Sequence, residues 1–192
     1  PGPIALVVDA SPVFEPMVIN ELVPEEPSFQ YDFEAFADSV EDGWGYVYYN
    51  HEVTLDLENR PGLRDDYMLS VEIKELFEGA EWYNVANPAF PDPRLAYNQG
   101  CACLLATDSG EDNVSMANIV LEAYAGSSDF PVEGAMRLRV QRPTESLANH
   151  FRSVDAYYGA IDNPFAEPAS IQGNIPGGFG IFGVTSEVIV PL

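Results

Sequence analysis

The stretch VTLDLENRPGLRDDYMLSVEI, residues 53–73, carries the clearest secondary-structure pattern in this 192-residue chain. Val53, Leu55 and Leu57 alternate with polar residues, and this period of two is typical of a half-buried β-strand. The alternation returns between positions 67 and 73, after the turn-forming residues RPGLRDD. The pattern predicts two antiparallel strands joined by a short loop.

Strand patterns recur on both sides of this stretch. GAMRLRVQRP (134–143), CACLLAT (101–107) and the C-terminal EVIVPL each indicate a strand, whereas the proline-rich and aromatic residues 81–99 indicate a long loop. The one helical pattern places four apolar side chains on a single stripe, at Leu147, Phe151, Val154 and Tyr158. We therefore predict an all-β, sandwich-like, mostly antiparallel fold with one short amphipathic helix near residues 145–158.

The domain organisation follows from the distribution of proline. Residues 1–30 contain six prolines and predict an extended arm or edge strands, because proline is tolerated at the edge of a sheet. Residues 31–192 are expected to form a single β-rich domain. The chain begins without methionine or a signal-peptide pattern, so we expect its N-terminus to be trimmed. No run of 18 apolar residues occurs, which predicts no transmembrane helix.

Charge is the extreme feature of the composition. Thirty-one acidic residues face eight basic ones, for a net charge of −23, and Lys74 is the only lysine. Such a surface repels nucleic acid and anionic lipid, so both are excluded as partners. Three explanations for the acid excess stay open: solubility in high salt, calcium binding, and attraction to a cationic partner. The scarcity of lysine favours the first and suggests a halophilic bacterium.

The residues offer few candidates for chemistry. Cys101 and Cys103 are the only cysteines; they are either small buried apolar residues, a strained disulfide, or a pair bonded to another chain. There is no G-x-S-x-G motif and no cofactor signature. Asp108, Asp112 and Asn113 form a weak calcium candidate, because they offer oxygen ligands at alternating positions; an Asx-rich hairpin turn is the simpler explanation.

Aromatic side chains on predicted loops are the best candidates for contact with a partner. Trp44 lies in WGYVYYN (44–50), and Trp82, Tyr83 and Phe90 lie in EWYNVANPAF (81–90). Aromatic residues are favoured at interfaces, where they bury large surfaces. Filling of the core is the alternative role for such residues.

The C-terminal region carries a resemblance. SLANHFRSVDAYYG followed by NPFAEPASIQGNIPGGFGIFG (163–183) resembles the signature of the Bacteroidota-type outer-membrane lipoproteins that contain domain of unknown function 4249. The resemblance spans residues 50–185. VTLDLENRPGLRDDYMLSVEI also looks like the mid-chain hairpin of that family, although Asn59 stands where Asp is usual and Asp66 where a Tyr often stands. The matched C-terminal positions are Phe151, Tyr157, Pro164, Phe165, Pro168, Gly173, Asn174, Ile175, Gly180, Phe182 and Gly183.

The resemblance implies a non-enzymatic accessory or binding protein of the cell envelope, at the outer-membrane surface or outside the cell, that works with a TonB-dependent transporter. The lipobox cysteine and the N-terminal immunoglobulin-like region of the family are missing from this sequence. Two alternatives stay open: a structural subunit of an extracellular assembly, with the N-terminal arm or EVIVPL as donor strand, and a secreted hydrolase acting on polysaccharide.

Residues 163–183 are too rich in proline and glycine for a helix and too apolar for a linker. We predict that they form a structural clasp against the sheet. In this hypothesis the prolines hold the chain extended, the glycines allow tight turns, and the phenylalanines fill apolar pockets. The residues of the predicted clasp are Pro164, Phe165, Pro168, Asn174, Gly178, Gly180 and Phe182.

Overall fold

In the residues that this computed structural model describes, two of the three antiparallel β-sheets pack face to face, and one helix lies outside them. The fold is all-β and sandwich-like, as predicted. The structure describes residues 3–8, 17–41, 43–45, 47–60, 62–74, 78–86, 92–108, 116–127, 135–161, 167, 169–176 and 180–192.

Along the described ranges, the elements follow one another as eleven strands with a helix before the last. They are β1 (Pro3–Val8), β2 (Met17–Leu22), β3 (Phe29–Glu41), β4 (Val47–Leu57), β5 (Asp66–Lys74), β6 (Tyr83–Asn84), β7 (Leu95–Asn98), β8 (Cys103–Thr107), β9 (Ile119–Ser127), β10 (Ala135–Pro143), α1 (Glu145–Ile161) and β11 (Thr185–Pro191). The larger sheet has the order β11-β10-β5-β8-β7, with β6 also paired to β5, and the smaller sheet has the order β3-β4-β9.

The two strands of the opening stretch belong to different sheets, so the predicted pairing between them is wrong. β4 pairs with β3 and β9, whereas β5 pairs with β10, β8 and β6. The apolar faces are as predicted, because Val53, Leu55 and Leu57 meet the inward side chains of β5 in one core. Residues 58–65 are long enough to cross from one sheet to the other, and a crossing connection has the same alternating pattern as a hairpin.

β5 is buried on both faces, which makes it the central strand of the fold. Tyr67, Leu69 and Val71 point into the sandwich and are fully buried. Met68 points to the other side, where it packs with Cys103 and Leu105 beneath Phe151 of α1. The helix therefore covers the outer face of the larger sheet with part of its apolar stripe.

Three further sequence predictions are corrected or refined. Residues 81–99 contain strands β6 and β7 rather than a continuous loop, since their backbone groups pair with β5 and β8. Helix α1 extends to Ile161, beyond the predicted residue 158. Cys101 and Cys103 form a disulfide, which was one of the three alternatives left open.

The N-terminal strands form a sheet of their own. β1 and β2 pair in antiparallel register from Pro3↔Leu22 to Val8↔Met17. Glu21 of β2 accepts hydrogen bonds from Ser146 Oγ (2.6 Å) and Asn174 Nδ2 (2.8 Å). The hairpin is thereby tied both to the start of α1 and to the C-terminal segment.

Candidate functional site

A cleft of about 530 Å³ opens at the end of the sandwich where α1 begins. Three separate parts of the chain line it: the end of β2 with the residues after it, the crossing loop between β4 and β5, and the junction of β10 with α1. Its lining residues are Asn20, Glu21, Leu22, Pro24, Glu25, Arg60, Leu63, Arg64, Asp65, Asp66, Arg142, Pro143, Thr144 and Glu145.

An ion pair closes the crossing loop on itself. Arg60 Nε donates to Asp65 Oδ1 (2.9 Å), its Nη2 contacts the same oxygen, and its backbone N–H donates to Asp65 Oδ2 (3.1 Å). The Asp65 side chain is fully buried. The hydrogen bonds to Asp65 raise the pKa of the Arg60 guanidinium, since they favour its charged form. A buried carboxylate held in this way fixes the shape of the cleft floor.

Arg142 joins the floor from β10 and is only 3% exposed. Its Nη2 donates to the Tyr67 hydroxyl (2.6 Å) and to Glu58 Oε2 (3.2 Å), and the hydroxyl donates to the Glu58 carbonyl (2.6 Å). Burial raises the pKa of the Tyr67 phenol, although the bond from Arg142 opposes the rise. Tyr67 therefore stays a neutral hydrogen-bonding group that connects the core to the cleft.

A second carboxylate, Asp66, lies beside the first and holds two arginines. Arg64 Nε lies 3.5 Å from Asp66 Oδ2, and Arg152 Nη2 contacts Asp66 Oδ1. Arg152 also donates to Thr107 Oγ1 (2.8 Å), and burial lowers its pKa. Arg64 is the most exposed of these cations, with 39% of its side chain accessible at the cleft.

The cleft combines charge with exposed apolar surface. Leu22 is 71% exposed and Leu63 is 52% exposed, and both line it. Three guanidinium groups and five carboxylates surround these leucines. Buried carboxylates hold the arginines in place, so the cleft is preorganised before any ligand arrives. Such a surface can bind a peptide segment in which an apolar side chain is flanked by positively or negatively charged groups.

The part of the predicted clasp that the structure describes lies next to this cleft. Asn174 Nδ2 donates to the Phe182 carbonyl (2.7 Å), and Asn174 Oδ1 accepts from the Phe182 N–H (2.8 Å). The same amide reaches Glu21 at the cleft wall. Gly180 has φ +116°, a conformation that favours glycine, and Phe182 is half-buried. Pro164, Phe165, Pro168 and Gly178 lie outside the described residues.

The three predicted aromatic contact residues that the structure describes do not line the cleft. Trp44 is 89% exposed in a turn before β4, and Tyr83 is 45% exposed on β6. Trp82 is half-buried, with the Arg137 guanidinium 3.9 Å from its ring centre. Phe90 lies outside the described residues. Their role in partner binding stays a prediction.

The calcium candidate is described only at its first residue. The Asp108 side chain is fully buried, and its backbone N–H donates to the Asp65 carbonyl (2.8 Å). Asp112 and Asn113 lie outside the described residues. Within the described part of the chain, no group of three or more His, Cys, Asp or Glu side chains is arranged to hold a metal ion.

The sequence analysis missed the arginine cluster at the cleft. A signal was present, because Arg60, Arg64, Asp65 and Asp66 lie within seven residues of a chain that has only eight basic residues. Cations that are so scarce and so close to paired acids indicate an ion-pair network. The contribution of Arg142 had no local signal, since its partners Glu58 and Tyr67 are 84 and 75 positions away.

Comparisons of the chain with protein-family models, with curated proteins and with solved structures gave no match. The resemblance to outer-membrane lipoproteins therefore stays a prediction. Among the described residues, no helix has the length and apolarity needed to cross a membrane.

Proposed function

We propose that the protein is a binding module of the cell envelope, and that its cleft holds, without catalysis, a segment of a partner such as an outer-membrane transporter. The preorganised cleft carries this proposal. It exposes Leu22 and Leu63 between arginines whose positions are fixed by buried Asp65 and Asp66.

Two other features support a location outside the cytoplasm. The Cys101–Cys103 disulfide fits an oxidising compartment, because disulfides form there and are rare in the reducing cytosol. The acidic composition suits a surface exposed to high salt, where self-repulsion is screened. Both agree with the localisation that the sequence resemblance implies.

A site-specific photo-crosslinking experiment tests this function. A photoreactive phenylalanine analogue at Leu63 places the probe in the cleft, and the same analogue at Ile189, 39% exposed on β11, is the matched control. After irradiation with membranes of the source organism, we expect a β-barrel transporter to be bonded to the Leu63 probe and not to the Ile189 probe. Equal amounts of crosslinked transporter at both positions would refute the proposal. So would the absence of any crosslinked product from the Leu63 probe.

A second candidate function is assembly with other copies through strand addition. In the described part of the chain, β11 is one of the edge strands of the larger sheet. One side of β11 is already paired to β10 from Thr185 to Pro191. We therefore expect β11 to accept a strand from another copy on its free side rather than to be donated to another copy. Electron microscopy separates the two functions, because regular fibres favour assembly and discrete particles favour the binding module.

A further inference from the structure

The Cys101–Cys103 disulfide closes a loop of only three residues, where the chain enters β8. A disulfide stabilises a fold mainly by restricting the unfolded chain, and this effect is smallest for short loops. The bridge is therefore a poor staple for a domain of 192 residues. Its position calls for another role.

The two sulfur-bearing residues differ in accessibility. Cys103 is 5% exposed and packs against Met68 and Leu105 under the helix. Cys101 lies in the turn; it packs against the same cluster but is partly exposed. Because Cys101 is the more accessible residue of the two, we expect a thiolate from solvent to attack its sulfur, with the sulfur of Cys103 as the leaving group.

The backbone between the cysteines is held in an uncommon conformation. Ala102 has φ +50°, in the left-handed region that disfavours residues with a side chain. Opening the ring removes one constraint that holds Ala102 in this region, so the closed ring is less favoured than it would be in a relaxed turn.

Other contacts hold the turn in place when the bridge opens. The buried Asn98 accepts from the N–H groups of Gly100 (2.9 Å) and Cys101 (3.2 Å) through its Oδ1. Its Nδ2 donates to the Phe151 carbonyl (2.9 Å) and to Asp155 Oδ2 (2.8 Å) on α1. Both thiols therefore stay close together after reduction, and the ring can close again.

We propose that Cys101 and Cys103 form a thiol–disulfide exchange site that oxidises dithiols, such as paired cysteines of extracytoplasmic polypeptides. A substrate thiolate attacks Cys101 Sγ, the S–S bond breaks, and its electron pair goes to Cys103 Sγ, which takes up a proton. The second substrate thiolate then attacks the substrate sulfur of the mixed disulfide and releases Cys101, which is protonated in turn. Two electrons and two protons pass from the substrate, which leaves as a disulfide.

The test uses dithiothreitol as the dithiol and glutathione as the monothiol, with the folded full chain and acid quenching before mass analysis. We expect one equivalent of dithiothreitol to be oxidised per chain. With oxidised glutathione, Cys103→Ser should accumulate a stable adduct at Cys101. Cys101→Ser should react at least tenfold more slowly, because the remaining sulfur is buried.

The double variant with serine at both positions distinguishes exchange from stapling. We expect it to fold, with a melting temperature within about 5 °C of the wild type. A bridge that resists excess dithiothreitol for hours in the folded protein would overturn the proposal. So would equal reaction rates of the two single variants, or a double variant that fails to fold.

Discussion

A row of three glutamates crosses the outer face of the smaller sheet, and removing its middle charge should stabilise the protein. The register pairs Glu34 of β3 with Glu52 of β4, and Glu52 with Glu122 of β9. Directly opposed residues on neighbouring strands have Cβ atoms about 5 Å apart, and like charges in such positions destabilise a sheet. Glu52→Gln removes both repulsive pairs and keeps the size of the side chain.

The size of the effect follows from distance and screening. Two unit charges about 5 Å apart in water repel by about 0.8 kcal/mol before salt is added. At 0.1 M salt, with a Debye length of about 10 Å, we expect two pairs to give a gain of about 1 kcal/mol. At 1 M salt the Debye length falls to about 3 Å, and the gain should shrink to about a third of that value.

Urea denaturation at both salt concentrations measures this change, since urea does not alter the ionic strength. Glu187→Gln is the matched control, because Glu187 Oε2 lies 3.6 Å from Arg139 Nε. This variant removes an attractive pair instead of a repulsive one. We expect that control to be neutral or destabilising by up to about 1 kcal/mol. A Glu52→Gln variant that is no more stable than wild type at 0.1 M salt would refute the reasoning.

Three further predictions concern other contacts. Hydrogen bonds from Arg94 lower the pKa of Asp92 to about 2, so the ionised carboxylate contributes stability above pH 4 that is lost as the pH falls toward 2. In urea titrations, Asp92→Asn should reduce the fall in the free energy of unfolding between pH 4 and pH 2 by about 2 kcal/mol, and an unchanged dependence on pH would contradict this. Asn174→Ala should cost about 2 kcal/mol in the same assay, because it loses both bonds to Phe182, whereas the exposed Gln172→Ala should stay within about 0.5 kcal/mol. Gly183→Ala should lower the free energy of unfolding by about 1–3 kcal/mol, since the added carbon would lie 2.6 Å from Leu147 Cβ. An unchanged melting temperature would contradict this and would show that α1 can shift to make room for the added carbon.

The sequence predicted the inward faces of the strands better than it predicted their connections. Alternation identified Leu55 and Leu69 as inward-facing, because side-chain direction depends only on local periodicity. It could not tell whether residues 58–65 form a hairpin or a crossing, since both join two alternating strands. The outcome is fixed by distant partners, such as the bond from Arg142 to Tyr67.

The cleft could not be predicted for a related reason. Its walls come from β2, the crossing loop and the start of α1, and only the folded topology brings these segments together. Asn174, which lies next to the cleft, belongs to the predicted clasp through the family resemblance and not through a local pattern. Its reach to Glu21, 153 positions away, depends on where the N-terminal hairpin packs.

The arginines of this chain serve its own carboxylates. Each of the seven lies within 4 Å of at least one carboxylate, and the most buried of these partners are Asp65, Asp66 and Glu72. The arginines thus neutralise carboxylates at buried and half-buried sites, where an unpaired carboxylate would destabilise the fold.

Other carboxylates lie exposed to solvent in the described part of the chain. β3 alone exposes four of them, at Asp32, Glu34, Asp38 and Glu41. Within the described residues, β3 therefore contributes a dense group of negative charges to the surface. Screening by salt or contact with a cationic partner would relieve this repulsion without any converging ligand set, whereas calcium binding would require one.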